Sequence, residues 1–302
     1  MKKLLITGAS GLLGANLAFL LREKYAITGL YNSHKPSIKG VDLIKCDLAG
    51  DDALRTAVSV KADVIVNCAA IVNVDWCESH AEETYKVNAL SAGIMAKAAR
   101  ETGASIVHIS TDTVYKDTPN VAYKETSPLG TMNVYSEAKL RGEELVMSEC
   151  PDNMIVRTTI YGYNHVDKES LGEWALNSLM NGKSIGMFTD VFFNAILVND
   201  LAAALDVSIE KGLRGVFNID SKGSISKYEF GVKIAEAFGL NRELIKPTSV
   251  VDFDFKAKRP NNMVSDVSRI LEYVDLPTVE EGILHFRDLY RGNYRERLKK
   301  GV

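Results

Sequence analysis

The feature that most restricts this chain lies at its amino-terminal end. A short apolar run, Lys3 to Thr7, passes directly into Gly8-Ala9-Ser10-Gly11-Leu12-Leu13-Gly14, and Ala15 to Lys24 then carries helical patterning. Glycine at every third position between a strand and a helix forces a tight turn. It leaves backbone N–H groups open at the positive end of the helix and lets that helix lie close against the strand. A pyrophosphate suits such a place, so the turn predicts a dinucleotide site. The bland alternative is a strand-helix turn that holds no ligand. Candidate cofactor contacts are Gly8, Ser10, Gly11, Leu12, Leu13 and Gly14.

Further strands are expected at Ala26 to Tyr31, Asp63 to Asn67, Ser105 to Ser110 and Met154 to Arg157, separated by helix-length segments. These runs lack polar alternation, which implies cover on both faces, and strand-helix alternation requires a parallel sheet. The fold class is α/β, a doubly wound parallel sheet of Rossmann type, with a smaller C-terminal substrate-binding region. Residues 1–160 form the nucleotide-binding unit, with about 196–219 returning to it through a helix at Asp200 to Glu210 and a strand at Gly215 to Ile219. Residues 161–195 and 220–302 make the substrate-binding region. Within it, Ser226 followed by Glu229 has capping-box spacing and opens a helix to Phe238.

Charge and cysteine content narrow the partners. The formal net charge is -3 with both signs interspersed, which gives no general attraction to nucleic acid or anionic membrane, so any anionic ligand is held locally. Cys46, Cys68, Cys77 and Cys150 are scattered and form no Cys-x-x-Cys pair, and the five histidines have no ligand spacing. Reduced thiols, a cytoplasmic location and no metal are expected. The opening Met1 to Ile6 run is too short for a targeting segment, and no apolar stretch approaches the roughly 20 residues that span a bilayer.

A carboxylate at the end of the second strand normally accepts the adenosine 2′-hydroxyl and excludes a 2′-phosphate. Here the stretch is Tyr31-Asn32-Ser33-His34-Lys35. Donors and a cation in place of the acid favour NADP(H) over NAD(H), with Asn32, Ser33 and Lys35 as contacts. Asp47, followed by Leu48, stands where it can meet the adenine or cap a helix.

Tyr135 and Lys139 are four residues apart and share a helix face. A free phenol, with a pKa near 10, exchanges protons poorly at neutral pH, and a neighbouring ammonium stabilises the phenolate and brings it nearer the working range. Thr111 closes the Ile109-Ser110-Thr111 strand at its carboxyl end, the edge where open α/β sheets bind ligands, and can hydrogen-bond a carbonyl. Thr111, Tyr135 and Lys139 are the candidate catalytic set.

With these motifs in place, the chain resembles the extended short-chain dehydrogenase/reductase family, and within it the dTDP-4-dehydrorhamnose reductase-like group, which includes methionine adenosyltransferase β subunits. The resemblance rests on the glycine turn, Asn67-Cys68-Ala69-Ala70, Val74-Asp75-Trp76-Cys77-Glu78, Asn88, Ser110-Thr111-Asp112, Tyr135 to Lys139, Arg157 to Gly162 and Arg259-Pro260-Asn261. It implies that Gly8, Gly11 and Gly14 bind the pyrophosphate and that Cys68, Ala69 and Ala70 line the cofactor cleft. It also implies that Asn88 supports Lys139 through the helix backbone. Substrate contacts are expected at Val72, Asn73, Thr111 and Arg259; the last either meets a diphosphate or is a solvated charge, and Trp76 is either core or substrate wall. Arg157 is read as holding strand-end groups.

The group usually carries Trp where this chain has Ile160, and Pro-Thr where it has Asn194-Ala195, both on the substrate side. The implied activity is NAD(P)H-dependent reduction of a 4-keto sugar on a nucleoside diphosphate by a homodimer. The alternatives are an NADP-binding regulatory subunit and a nucleotide-sugar epimerase or dehydratase.

Overall fold

A computed structural model describes residues 1–302. Its centre is a seven-stranded, wholly parallel sheet. Six strands are β1 (Lys3–Thr7), β2 (Ala26–Tyr31), β3 (Asp42–Lys45), β4 (Val64–Asn67), β5 (Ser105–Ile109) and β6 (Asn153–Arg157), and the seventh is Gly215–Asn218. The spatial order runs from Gly215–Asn218 through β6, β5, β4 and β1 to β2 and β3. All six ladders are parallel. The order reverses beside β1, so the glycine turn opens at the switch point where α/β sheets bind ligands.

The register reflects burial. Leu4, Leu5 and Ile6 of β1 and all four residues of β4 are buried, because helices cover both faces. Helix α1 (Leu12–Leu21) packs on one face, and the helices Ala53–Val60 and Ser91–Thr102 form a second apolar layer on the other. Strand β3 was not among the expected strands. It has four residues at the sheet edge and no fully buried residue, so it lacks the apolar run that marks the others.

After β6 the chain leaves the sheet. The run Val191 to Val198 divides into two short strands, Phe192–Phe193 and Ile196–Leu197. Ile196–Leu197 pairs with Ile160–Tyr161, and the helix Val198–Lys211 then leads to the edge strand Gly215–Asn218. The expected capping box is present: Glu229 N donates to Ser226 Oγ at 3.1 Å, and Ser226 N donates to Glu229 Oε2 at 2.8 Å. It starts the helix Lys227–Phe238, whose first residue, Lys227, reaches the large cleft. No helix is long and apolar enough to cross a membrane.

Candidate active site

The glycine turn is built to close tolerances. Gly8 has φ of +63°, a left-handed conformation, and a Cβ added there would stand 2.8 Å from the Ala69 Cα. A Cβ on Gly14 would stand 2.2 Å from the Gly8 carbonyl oxygen. Gly11 N donates to Gly8 O and Ala15 N to Gly11 O, while no side chain caps α1. The Leu12 and Leu13 amides, both on the cleft, are therefore open to an anion. These features fit the pyrophosphate of a dinucleotide.

From that turn a cleft of about 1350 Å³ runs across the carboxyl ends of the strands. It exceeds the roughly 300–1,000 Å³ of an ordinary small-molecule site and has room for a dinucleotide and a second ligand. Of the expected residues, Gly8, Ser10, Gly11, Leu12, Leu13, Asn32, Ser33, Asp47, Leu48, Cys68, Ala69, Ala70, Val72, Thr111, Tyr135 and Lys139 all line it.

Tyr135 lies in the first turn of the helix Val134–Glu149. Asn133 caps that helix by accepting from Ser136 N at 2.8 Å and is itself anchored through Nδ2 to Lys258 O. Lys139, one turn on, is buried and donates to the Ile109 carbonyl at 2.6 Å. Thr111 directly follows β5 and Ser110, and its hydroxyl bonds Asp112 Oδ1 at 3.1 Å. A buried polar chain links this set to the glycine turn. Thr7 Oγ1 donates to Asn67 Oδ1 at 2.6 Å, Asn67 Nδ2 meets His108 Nδ1 at 2.9 Å, and His108 Nε2 lies 3.5 Å from Lys139 Nζ.

The electrostatics differ from the simple phenol-ammonium expectation. Burial pushes the Tyr135 phenol above its ordinary range, and a hydrogen bond to Thr111 only partly opposes this. Burial pulls Lys139 down to about 8 despite the opposing field of Glu143. Tyr135 is thus protonated at neutral pH, which suits a proton donor. Burial also raises the carboxyl of Asp112, against hydrogen bonds from Thr159 and Thr111. It raises Asp220 well above the carboxylate range, helped by the nearby Asp112.

Five expected residues do not line the cleft. Gly14 faces Gly8 and spaces α1 from the turn. Lys35 is exposed, beyond the part of the loop that faces the cleft. Asn73 caps the helix Val74–Ser79 by accepting from Trp76 N at 3.0 Å, so its carbonyl is already engaged. Asn88 makes a two-point clamp on the Ile71 backbone at 2.8 and 2.9 Å. Arg259 is held by Asp75 at 2.7 Å and lies over the Phe255 ring.

Trp76 stacks on His80. Arg157, at the end of β6, makes a buried ion pair with Glu143 of the helix Val134–Glu149 at 2.7 Å and donates to the Glu125 carbonyl, so the groups it holds lie on a helix and a loop and not on other strand ends.

The cleft also includes residues that sequence reasoning missed. Asp112, Thr159, Tyr161, Phe193, Lys227 and Met263 line it, as do His34, His165 and Lys299. Lys227 is the first residue of a capped helix, a position that normally marks solvent exposure. His165 and Lys299 reach the cleft only through tertiary docking.

A parallel sheet with a glycine turn at its switch point, and a threonine, tyrosine and lysine gathered in the same cleft, defines a dinucleotide-binding oxidoreductase of the extended short-chain dehydrogenase type. The particular family is shown by comparison. The model described as the RmlD substrate binding domain matches residues 1–288, and the chain belongs to that family.

It is 30% identical to the probable low-salt glycan biosynthesis reductase Agl14 of Haloferax volcanii, over 88% of this chain and 90% of that one. It is also 30% identical to the methionine adenosyltransferase 2 subunit beta of Danio rerio, over 89% and 84%. The solved structure of the dTDP-4-dehydrorhamnose reductase of Bacillus anthracis in complex with NADP superposes with a TM-score of 0.83 at 27% identity, covering 95% of this chain and 99% of that one.

Proposed function

We propose that this protein is an NADPH-dependent reductase of a 4-keto sugar carried on a nucleoside diphosphate. The observation that carries the reading is the convergence of Thr111, Tyr135 and Lys139 in one cleft with the open amides of the glycine turn. It is supported by the dTDP-4-dehydrorhamnose reductases among the relatives, one of them solved with NADP. With its pyrophosphate on the glycine turn and its ribose on Lys139, a bound nicotinamide would supply the hydride for a carbonyl carbon. NADPH is preferred because the loop after β2 carries Asn32 and Ser33 and no carboxylate.

This chain's residues handle the oxygen and its proton. Thr111 Oγ1 orients the carbonyl oxygen. Tyr135, protonated in its buried setting, donates its phenolic proton as charge develops on that oxygen. Lys139, with its ammonium anchored on Ile109 O, keeps two further N–H donors with which to hold the ribose. Apolar side chains on the substrate half, Ile160, Phe193 and Met263, exclude water around the sugar.

The test is oxidation of NADPH and of NADH against a panel of nucleotide-linked 4-keto sugars. Ketosugar-dependent oxidation of NADPH is expected.

A second reading is an NADP-binding regulatory subunit, favoured by the 30% identity to a methionine adenosyltransferase β subunit over most of both chains. It predicts binding to a methionine adenosyltransferase catalytic subunit together with no ketosugar-dependent oxidation.

A further inference from the structure

Two arms remote in sequence meet over the adenosine end of the cleft. One is the loop after Ile160–Tyr161, which carries His165. The other is the C-terminal helix Tyr294–Lys300, which carries Lys299. Both are fastened to the buried Asn16 on α1: its Nδ2 donates to the Tyr163 carbonyl at 3.0 Å, and its Oδ1 accepts from Tyr294 Oη at 2.7 Å. The end of the C-terminal helix is also seated on the loop that follows β2. Lys39 N donates to Gly301 O at 3.2 Å, and Gly301, at φ of +68°, approaches Ser37 so closely that a Cβ would stand 2.1 Å from its carbonyl oxygen.

This docking brings His165 and Lys299 to the part of the cleft lined by Asn32, Ser33 and His34. His165 Nδ1 is buried and has no hydrogen-bond partner. A buried ring nitrogen without a partner is costly unless a ligand completes it. Burial together with the fields of His34 and Lys299 holds the His165 pKa below its ordinary value. His34 is fixed by Ser33 Oγ at 2.9 Å from its Nδ1. Of the acids on this loop, Glu169 is engaged by Asn177 Nδ2, and Asp167 is almost fully exposed and bonds Lys299 at 2.8 Å. A pairing so exposed is weak and readily exchanged for a phosphate.

We propose that His165 and Lys299, with Ser33 and His34, form the subsite for a phosphate monoester, the 2′-phosphate on the adenosine of NADP(H). This rests on the reductase reading and deepens it. Lys35, the cation expected from the sequence, is replaced in that role by groups from the far end of the chain.

Calorimetric titration with adenosine 2′,5′-bisphosphate and with adenosine 5′-monophosphate isolates the extra phosphate without any turnover. The wild type is expected to bind the bisphosphate roughly tenfold or more tightly than the monophosphate, as one or two charge-assisted hydrogen bonds imply. His165→Asn and Lys299→Met should each reduce that ratio several-fold while leaving the monophosphate affinity, NADH binding and the thermal transition unchanged.

Equal affinity for the two nucleotides in the wild type, or a ratio untouched in both variants, overturns the assignment. If NADPH and NADH bind equally and both support ketosugar reduction, the subsite alone is wrong. If neither dinucleotide binds, the reductase reading falls and the subsite with it.

Discussion

Lys139 Nζ donates to the carbonyl of Ile109 at 2.6 Å, which fixes the ammonium at the strand end beside the catalytic helix instead of leaving it to follow the phenol. Because burial draws its pKa to about 8, the charge is present below that pH and lost above it. The kcat/KM profile, which reports the free enzyme, is expected to fall on the alkaline side with a midpoint near 8. Tyr135, held above its ordinary range, remains protonated there. Lys139→Arg keeps its charge to far higher pH, so the limb should leave this window even if overall activity drops. A limb unmoved in that variant would assign it to another group.

Removing the phenol proposed as proton donor has a different signature. Tyr135→Phe keeps the ring and its packing but deletes the hydroxyl. The expected outcome is a fall in kcat of about 10²- to 10⁴-fold with NADPH affinity, measured by fluorescence titration, within about twofold of wild type. Retention of most turnover would show that another group protonates the sugar oxygen.

Arg157 and Glu143 are both buried, and their ion pair at 2.7 Å joins β6 to the catalytic helix. Arg157→Met leaves the Glu143 carboxylate buried and uncompensated, which should cost about 3–5 kcal/mol in urea unfolding. Arg157→Met combined with Glu143→Leu removes both charges and should recover much of that loss. Additive losses in the double variant would contradict the pairing.

Gly14→Ala tests the spacing of α1 from the turn. The new Cβ would meet the Gly8 carbonyl oxygen at 2.2 Å, and backbone atoms cannot swing aside, so the helix must shift. A loss of about 1–3 kcal/mol in stability is expected, accompanied by weaker NADPH binding. Wild-type stability and affinity would show that the turn tolerates a side chain.

How much of this was legible in the sequence depended on whether the signal was local. The glycine turn, strands β1, β2, β4, β5 and β6, and the Ser226 capping box are short-range patterns. Tyr135 and Lys139 share a helix face by spacing alone. Strand β3 escaped because an edge strand without buried residues has no apolar run.

Asn73 was read as a substrate contact and Asn88 as a support for Lys139 through the helix backbone; the Asn73 side-chain carbonyl accepts from Trp76 N, and the Asn88 amide clamps the Ile71 backbone. Sequence shows that an asparagine can hydrogen-bond, not with what. Lys35 shows the same limit for charge: its sign is legible and its direction is not. His165 and Lys299 are 134 positions apart and meet through tertiary contacts, among them Asn16 bonding both arms and Lys299 pairing with Asp167, a relation that no local pattern carries.

The central claim is that a hydride reaches a sugar carbonyl carbon within this cleft. It is tested most directly with NADPH deuterated at both C4 positions and a nucleoside diphosphate-linked 4-keto sugar, with the product followed by mass spectrometry and proton NMR. One deuterium per product molecule at C4 of the sugar, formed in step with NADPH oxidation and lost in Tyr135→Phe, is the result predicted. An unlabelled sugar, or no cofactor oxidation with any ketosugar while NADPH remains bound, would contradict it.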